Sequence, residues 1–384
     1  MPPTGTPTTR IYLAPGLFGF ARLAGFDYLQ HVQKALAERF DRRGRSVEIR
    51  VVDVHPSASI RHRSARLVHL VAGTSGSDGG PIHLLGHSTG GLDLRLATSP
   101  SARLGEGSED RLGWLDRVAS VTSINTPHYG TPLAAFFATP NGQRLLYAVS
   151  AITVASLRLG APPLAATSAL VAALARTREW AGLESRLIDR ITDTVLQTLD
   201  PESSRDVQAW MTQIRDDRGA ILQLTPESMD LFRSSVEDRP GLRYQCTASY
   251  APPSGARDWV SHLRSPWSAV SAGLFHLLYR STADRHPRYP CAPADGGDAV
   301  LRSMLGETPP PEANDGIVPL RSQLWGEPVW LGQADHLDVV GYFGHRKGAG
   351  GWLTCGANFD RESFGALMDR IVEGMLEGEV GAAR

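Results

Sequence analysis

The chain has 384 residues, enough for one large domain or two. A 42% hydrophobic content and a formal net charge of −1 describe an ordinary soluble globular composition, and nothing in it suggests a nucleic-acid binder. Lys34 and Lys347 are the only lysines. So strong an arginine bias reads as genome composition rather than phosphate recognition. The three cysteines, Cys246, Cys291 and Cys355, lack metal-ligand spacing, and the sequence argues for no disulfide between them.

Met1 to Arg10 is Pro/Thr-rich without an apolar run, so no secretory signal is read there and a cytoplasmic location is slightly favoured. Ile11 to Ala14 reads as a buried strand ending in Pro15-Gly16-Leu17-Phe18-Gly19-Phe20, a loop too glycine-rich for a helix and too apolar for a solvated turn. Helical spacing follows over Phe26 to Phe40, a β-branched strand over Val47 to Val54, and a second helix over Ile60 to Val71. Ile82 to Leu85 is an apolar strand that stops in Gly86-His87-Ser88-Thr89-Gly90-Gly91, with a helix-compatible segment beyond, Leu92 to Thr98. Val118 to Ile124 is the next strand, running into Asn125-Thr126-Pro127-His128. A strand-end histidine between proline and tyrosine reads as structural rather than substrate-touching.

This β-α-β-α-β rhythm predicts an α/β fold with a mostly parallel, doubly wound sheet. From Asn141 to Glu237 strand signals vanish. Helical patterns cover Gln143 to Leu157, Pro163 to Leu174, Leu183 to Leu199 and Ser204 to Ile214, with Thr225-Pro226 starting another. Leu145 to Leu157, the most apolar stretch, is too short to span a bilayer. The expected organisation is a single domain, core 10–140 and 238–384, with a helical cap at 141–237. In the cap, Leu187, Ile188, Ile191, Val195 and Leu199 form a stripe that must be buried against the sheet, the substrate or a lipid surface. Leu242 to Tyr250 returns to strand, and Ala251 to Pro311 is expected to be irregular. Pro328 to Leu331 is the last strand.

A strand, a sharp turn and a helix with Ser88 at the tip need glycine two residues either side of the serine, and Gly86 and Gly90 fill both places. The blander reading is a glycine-rich turn with a capping serine. A serine nucleophile needs a histidine base, and the base needs a carboxylate to fix its tautomer. In this type of fold they follow in the order serine, acid, histidine. Asn314-Asp315-Gly316 places an aspartate in a tight turn, and beyond it only His336 and His345 remain, the latter in a Gly/Lys/Arg-rich tail. The choice is therefore Ser88, Asp315 and His336. The backbone N–H groups of Leu17 and Thr89 are the expected oxyanion donors.

Four blocks, Pro15 to Phe20, Gly86 to Gly91, Asn314-Asp315-Gly316 and His336-Leu337-Asp338, resemble those of the bacterial triacylglycerol lipases and esterases of the α/β-hydrolase superfamily. Weaker echoes are Thr126-Pro127-His128-x-Gly130-Thr131 and Leu224-Thr225-Pro226-Glu227-Ser228-Met229. The chain departs from the family in opening the first loop with Pro15-Gly16 where His-Gly is usual. The resemblance implies a serine hydrolase of carboxylic esters, with an acyl ester or lipid as substrate, in bulk water or at a lipid–water interface. No cofactor is needed for the chemistry. It also implies a structural calcium ion bracing the histidine loop through Asp338 and, as the best match for a second ligand, Asp295. A thioesterase or acyltransferase would use the same triad, as would a small-ester esterase; a non-catalytic lipid-binding protein would need none of it.

Overall fold

The computed structural model describes residues 7–17, 27–55, 57–105, 112–159, 164–176, 185–252, 266–284, 286–343 and 353–382. Six strands, β1 (Thr9–Ala14), β2 (Val47–Val51), β3 (Ile82–His87), β4 (Val118–Ile124), β5 (Arg243–Tyr250) and β6 (Glu327–Gln333), form one sheet in the order β2-β1-β3-β4-β5-β6. All five pairings are parallel.

Parallel strands need covering on both faces, and alternate side chains supply the two contacts. From β1, Ile11 and Leu13 join the cluster holding Val32, Leu36 and Phe40 of α1 (Gln30–Asp41) with Leu367 and Ile371 of the last helix. Tyr12 points the other way, into a cluster with Leu67, Val68 and Val71 of α2 (Ile60–Thr74) and Leu94 of α3 (Thr89–Thr98). The layers are helix, sheet, helix.

Between β4 and β5 the described residues are helical: α4 (Pro132–Phe137), α5 (Pro140–Leu159), α6 (Leu164–Arg176), α7 (Ser185–Leu196), α8 (Pro201–Asp216), α9 (Gly219–Gln223) and α10 (Pro226–Ser235). The start of α10 is as the sequence predicts, with Pro226 in the first turn and the Thr225 hydroxyl accepting from the Ser228 N–H at 3.3 Å. The stripe on α7 has a plain destination. Ile188, Ile191, Val195 and Leu199 are buried in the cluster that contains Leu145, Leu146, Val149 and Ile152 of α5 and Leu170 of α6. The stripe is core of the helical layer; the side chain of Leu187 lies outside the described residues.

The segment Ala251 to Pro311 is less irregular than its composition suggests, for it contains α11 (Pro266–Thr282) and α12 (Asp298–Leu305). Pro266 sits at the first helical position, where it costs no hydrogen bond. Leu274, Phe275 and Leu278 then form a buried face. Gly306, left-handed at φ 76°, ends α12. The closing helix, α13 (Arg361–Ala382), buries Leu367, Met368, Ile371, Val372 and Met375 along one side. Among the described residues no helix is long and apolar enough to cross a membrane.

Candidate active site

The site forms along the carboxyl edge of the sheet, where every crossover connection leaves its strand. Ala14 pairs with Gly86, so the loop leaving β1 lies against the turn leaving β3. Ser88 caps that turn at φ 55°, ψ −128°, a backbone conformation a non-glycine residue adopts only under constraint. The constraint is close packing. A Cβ on Gly86 would strike the backbone of Gly90 and Gly91, and one on Gly90 would strike the Ala14 carbonyl. The Ser88 N–H donates to the Ile124 carbonyl at 2.8 Å, which ties the strained residue to the end of β4.

Asp315 lies in the loop between β5 and β6, and His336 follows β6. His336 Nδ1 is 2.7 Å from Asp315 Oδ2, with both residues buried. The other partners of this carboxylate are all donors. The N–H groups of Ile317 and Val318 reach Oδ1 at 2.9 and 2.7 Å, and Asn125 Nδ2 reaches Oδ2 at 2.9 Å. A carboxylate so surrounded accepts from His336 too, so Nδ1 carries the hydrogen and Nε2 the lone pair. Nε2 is buried with no partner among the described residues. The His336 ring lies 4.7 Å, centroid to centroid, from that of His87, the residue before Ser88.

The loop after β1 passes directly over the serine: a Cβ on Gly16 would lie 2.6 Å from Ser88 Cβ and 3.2 Å from its Oγ. Leu17, next in the chain, lines an apolar pocket with Ser88, Pro127, Leu133, Phe137 and Ile221. Thr89, buried at the first position of α3, is the residue after the serine. Phe18, Gly19 and Phe20 lie outside the described residues.

The parallel strand order, the serine at the tip of the turn after β3, and an aspartate–histidine pair beyond β5 and β6 decide the architecture. This is an α/β-hydrolase fold. No protein-family model matches the chain. It is 33% identical over 125 residues to a triacylglycerol lipase of Vibrio cholerae serotype O1, a match covering 32% of this chain and 34% of that protein. The chain thus aligns with about a third of the length of the curated relative it matches. Among solved structures it is similar to Staphylococcus hyicus lipase (TM-score 0.48, 16% identity, 98% of this chain and 97% of that one covered). It is likewise similar to EstA from Clostridium botulinum (TM-score 0.48, 17% identity, 94% and 87% covered).

Within the hydrolase fold, His128 is a packing residue. It is buried against Trp325 with ring centroids 4.7 Å apart, and its Nε2 lies 3.0 Å from Ser123 Oγ. His345 lies outside the described residues. Cys246, Cys291 and Cys355 are all free thiols.

The two aspartates expected to hold calcium are not brought together. Asp295 is exposed, in a turn where its Oδ1 accepts the Gly297 N–H at 3.1 Å. Asp338 is buried with Asp335 and Cys355, their ligand atoms within 4.8 Å of one another. Asp335 Oδ1 already accepts the N–H groups of Leu337 and Asp338, each at 2.8 Å, and Asp338 Oδ2 accepts that of Asp335 at 2.9 Å. Calcium requires six to eight oxygens. Asp335 Oδ2 is buried without a partner among the described residues, but two carboxylates otherwise engaged by backbone donors, beside a soft thiol, fall well short of that oxygen set. Burial pushes Asp338 up to about 7 and, with the neighbouring Asp338 carboxylate, Asp335 well above the usual carboxylate range.

Sequence reasoning missed two supports. Asn125, left-handed at φ 47°, holds Asp315 and Ser249 through its amide nitrogen. Arg63 and Asp93 form a fully buried ion pair, Nη2 to Oδ2 2.8 Å, and the same guanidinium donates to the Pro15 and His55 carbonyls. The pair therefore clamps the loop after β1 to the helix after Ser88. Its signal was visible: Arg63 stands on the buried face of α2 with Ile60, Leu67, Val68 and Val71. An arginine in that row must have a buried partner.

Proposed function

We propose that the protein is a serine hydrolase of carboxylic esters, a lipase acting on medium- to long-chain acyl esters through an acyl-enzyme. The observation that carries the reading is the joint arrangement of a strained Ser88 and an oriented Asp315–His336 pair at one edge of the sheet. Ser88 Oγ attacks the ester carbonyl carbon while His336 Nε2 takes the hydroxyl proton. Asp315 keeps Nδ1 protonated and faces the imidazolium as it forms. The N–H groups of Leu17 and Thr89 hold the tetrahedral oxyanion. His336 returns the proton to the departing alcohol, and water repeats the sequence on the acyl-serine.

The preference for longer acyl chains rests on the lining of the pocket beside Ser88. Leu133, Ala134, Phe137, Ile221, Leu224, Ile317 and Val318 line a narrow cavity with apolar walls and few polar groups, which must widen to take an acyl chain. Each CH₂ buried there is worth about 0.8 kcal/mol. A thioesterase or acyltransferase would share the acyl-enzyme and differ only in its acceptor.

Labelling with a fluorophosphonate, in wild type and in Ser88→Ala, tests the nucleophile, and rates on p-nitrophenyl esters from acetate upward test the chain preference. Asp315→Asn should lower turnover on the order of 10⁴-fold, and its loss should not multiply with that of His336→Ala, because the residues act as a unit. Near-normal turnover in Asp315→Asn would reject the triad.

A further inference from the structure

The residue before the nucleophile has two polar partners that the acyl-transfer chemistry does not use. His87 is fully buried at the end of β3. Its Nε2 lies 2.9 Å from the backbone carbonyl of His336, and its Nδ1 lies 2.8 Å from the hydroxyl of Tyr28. A carbonyl can only accept, so Nε2 carries the hydrogen; Nδ1 is then an acceptor, and the Tyr28 hydroxyl donates to it. Both nitrogens are satisfied in one tautomer. The chain of contacts also closes on itself. Tyr342, at the far end of the His336 loop, donates its hydroxyl to the Tyr28 carbonyl at 2.9 Å, and its N–H donates to Leu337 at 3.1 Å.

We infer that His87 is a positioning residue for His336: it fixes the backbone of the catalytic base relative to Ser88, with Tyr28 holding it in the one tautomer that can do so. The inference rests on the triad reading above. Packing alone would explain an apolar ring at this position. It does not explain a ring with each nitrogen hydrogen-bonded, one of them to the backbone of the base itself. The arrangement also suits the charge that appears during turnover. Burial, followed by the neighbouring His336, keeps the His87 imidazole well below the usual histidine range, so no second cation faces the imidazolium 4.7 Å away. The histidine loop is tied to the nucleophile strand by a neutral side chain.

The test compares His87→Phe, which keeps a ring and loses both polar atoms, with His87→Gln, whose amide N–H can still donate to the His336 carbonyl. His87→Phe should lower kcat on a p-nitrophenyl ester on the order of 10-fold, the size expected of one oriented buried hydrogen bond, with KM little changed. His87→Gln should recover most of that loss. The low-field proton resonance of the His336–Asp315 hydrogen bond should shift or broaden in the phenylalanine variant and return in the glutamine one. Tyr28→Phe removes one hydroxyl and should weaken kcat in the same sense, so the question stays open to test if His87→Phe fails to fold. Wild-type kcat and an unmoved resonance in folded His87→Phe or in Tyr28→Phe would overturn the inference. So would a folded glutamine variant no better than the phenylalanine one. Fluorophosphonate labelling separates the two levels: no labelling of the wild type overturns the triad reading with it, whereas normal wild-type labelling with unaltered His87 variants overturns the positioning role alone.

Discussion

Gly16→Ala is the most informative single change at the oxyanion loop. The added Cβ would meet Ser88 Cβ at 2.6 Å and Oγ at 3.2 Å, where ordinary contact begins at 3.4 Å. The loop must therefore retreat by roughly 1 Å, a displacement that at a reacting centre can cost on the order of 10²-fold in rate. Leu17, the next residue, moves with it, and loss of one oxyanion donor costs about 10²- to 10³-fold in kcat. The two estimates agree. The thermodynamic penalty should be about 1–3 kcal/mol: Ser88 Cβ and the His87 carbonyl oxygen, which the added Cβ would meet at 3.2 Å, are both fixed by backbone, so it is the loop that shifts. Turnover of a short p-nitrophenyl ester measured beside a thermal melt separates the effects, with kcat expected to fall far more than stability allows. Gly86→Ala is the contrast: its clash is with the Gly90 and Gly91 backbone, and folding itself should suffer. A Gly16→Ala enzyme within threefold of wild-type kcat would refute the placement of the oxyanion donor at Leu17.

Three further outcomes follow from the same geometry. Arg63→Met leaves Asp93 buried without its cation and should cost about 3–5 kcal/mol by chemical denaturation, whereas a loss below about 1 kcal/mol would mean the pair is not buried in solution. Ala134→Leu narrows the pocket beside Ser88 and should lower kcat/KM on long esters by roughly fourfold per CH₂ excluded, with acetate little affected; parallel losses would favour a small-ester hydrolase. Asp335 and Asp338 give a pH signature. A raised folded pKa means the native state holds more protons than the unfolded chain above the ordinary carboxylate range, up to about 7 for Asp338 and in the same direction for Asp335. Their contribution to stability is therefore fully present in acid and is lost as pH rises through that window. The melting temperature should decline across it, Asp338→Asn should flatten the decline, and excess chelator should change nothing. A bound calcium ion would pull both carboxyls down and reverse the slope, so stabilisation by added Ca²⁺ would sink this account.

What the sequence makes legible here is what short-range rules control. The strand at Ile82, the glycines either side of Ser88 and the turn at Asn314-Asp315-Gly316 each carry their conformation in two or three adjacent residues, and chain order, with the Gly/Lys/Arg-rich surroundings of His345, leaves His336 as the expected base. The α11 helix was hidden because Pro266 and the arginine-rich residues before it read as loop, while its decisive feature, burial of Leu274, Phe275 and Leu278, depends on what packs over them. The α7 stripe shows the same limit from the other side. Periodicity says that Ile188, Ile191 and Val195 are buried; it cannot say against what, and the answer is α5 and α6 rather than substrate. Asp295 and Asp338 failed as a pair because sequence offset measures distance along the chain, whereas a metal site needs oxygens converging in space. Asn125, His87 and Arg63 were all in view as residues. Their roles come from partners 190, 249 and 48 positions away, at Asp315, His336 and Pro15. An apolar row interrupted by Arg63 could have been read as a demand for a buried acid, and the acids closest to the nucleophile in the chain begin with Asp93. The proposed catalytic groups were legible because their chemistry restricts residue type and order. The groups that hold them in place are restricted only by geometry, and it is there that the structure adds most.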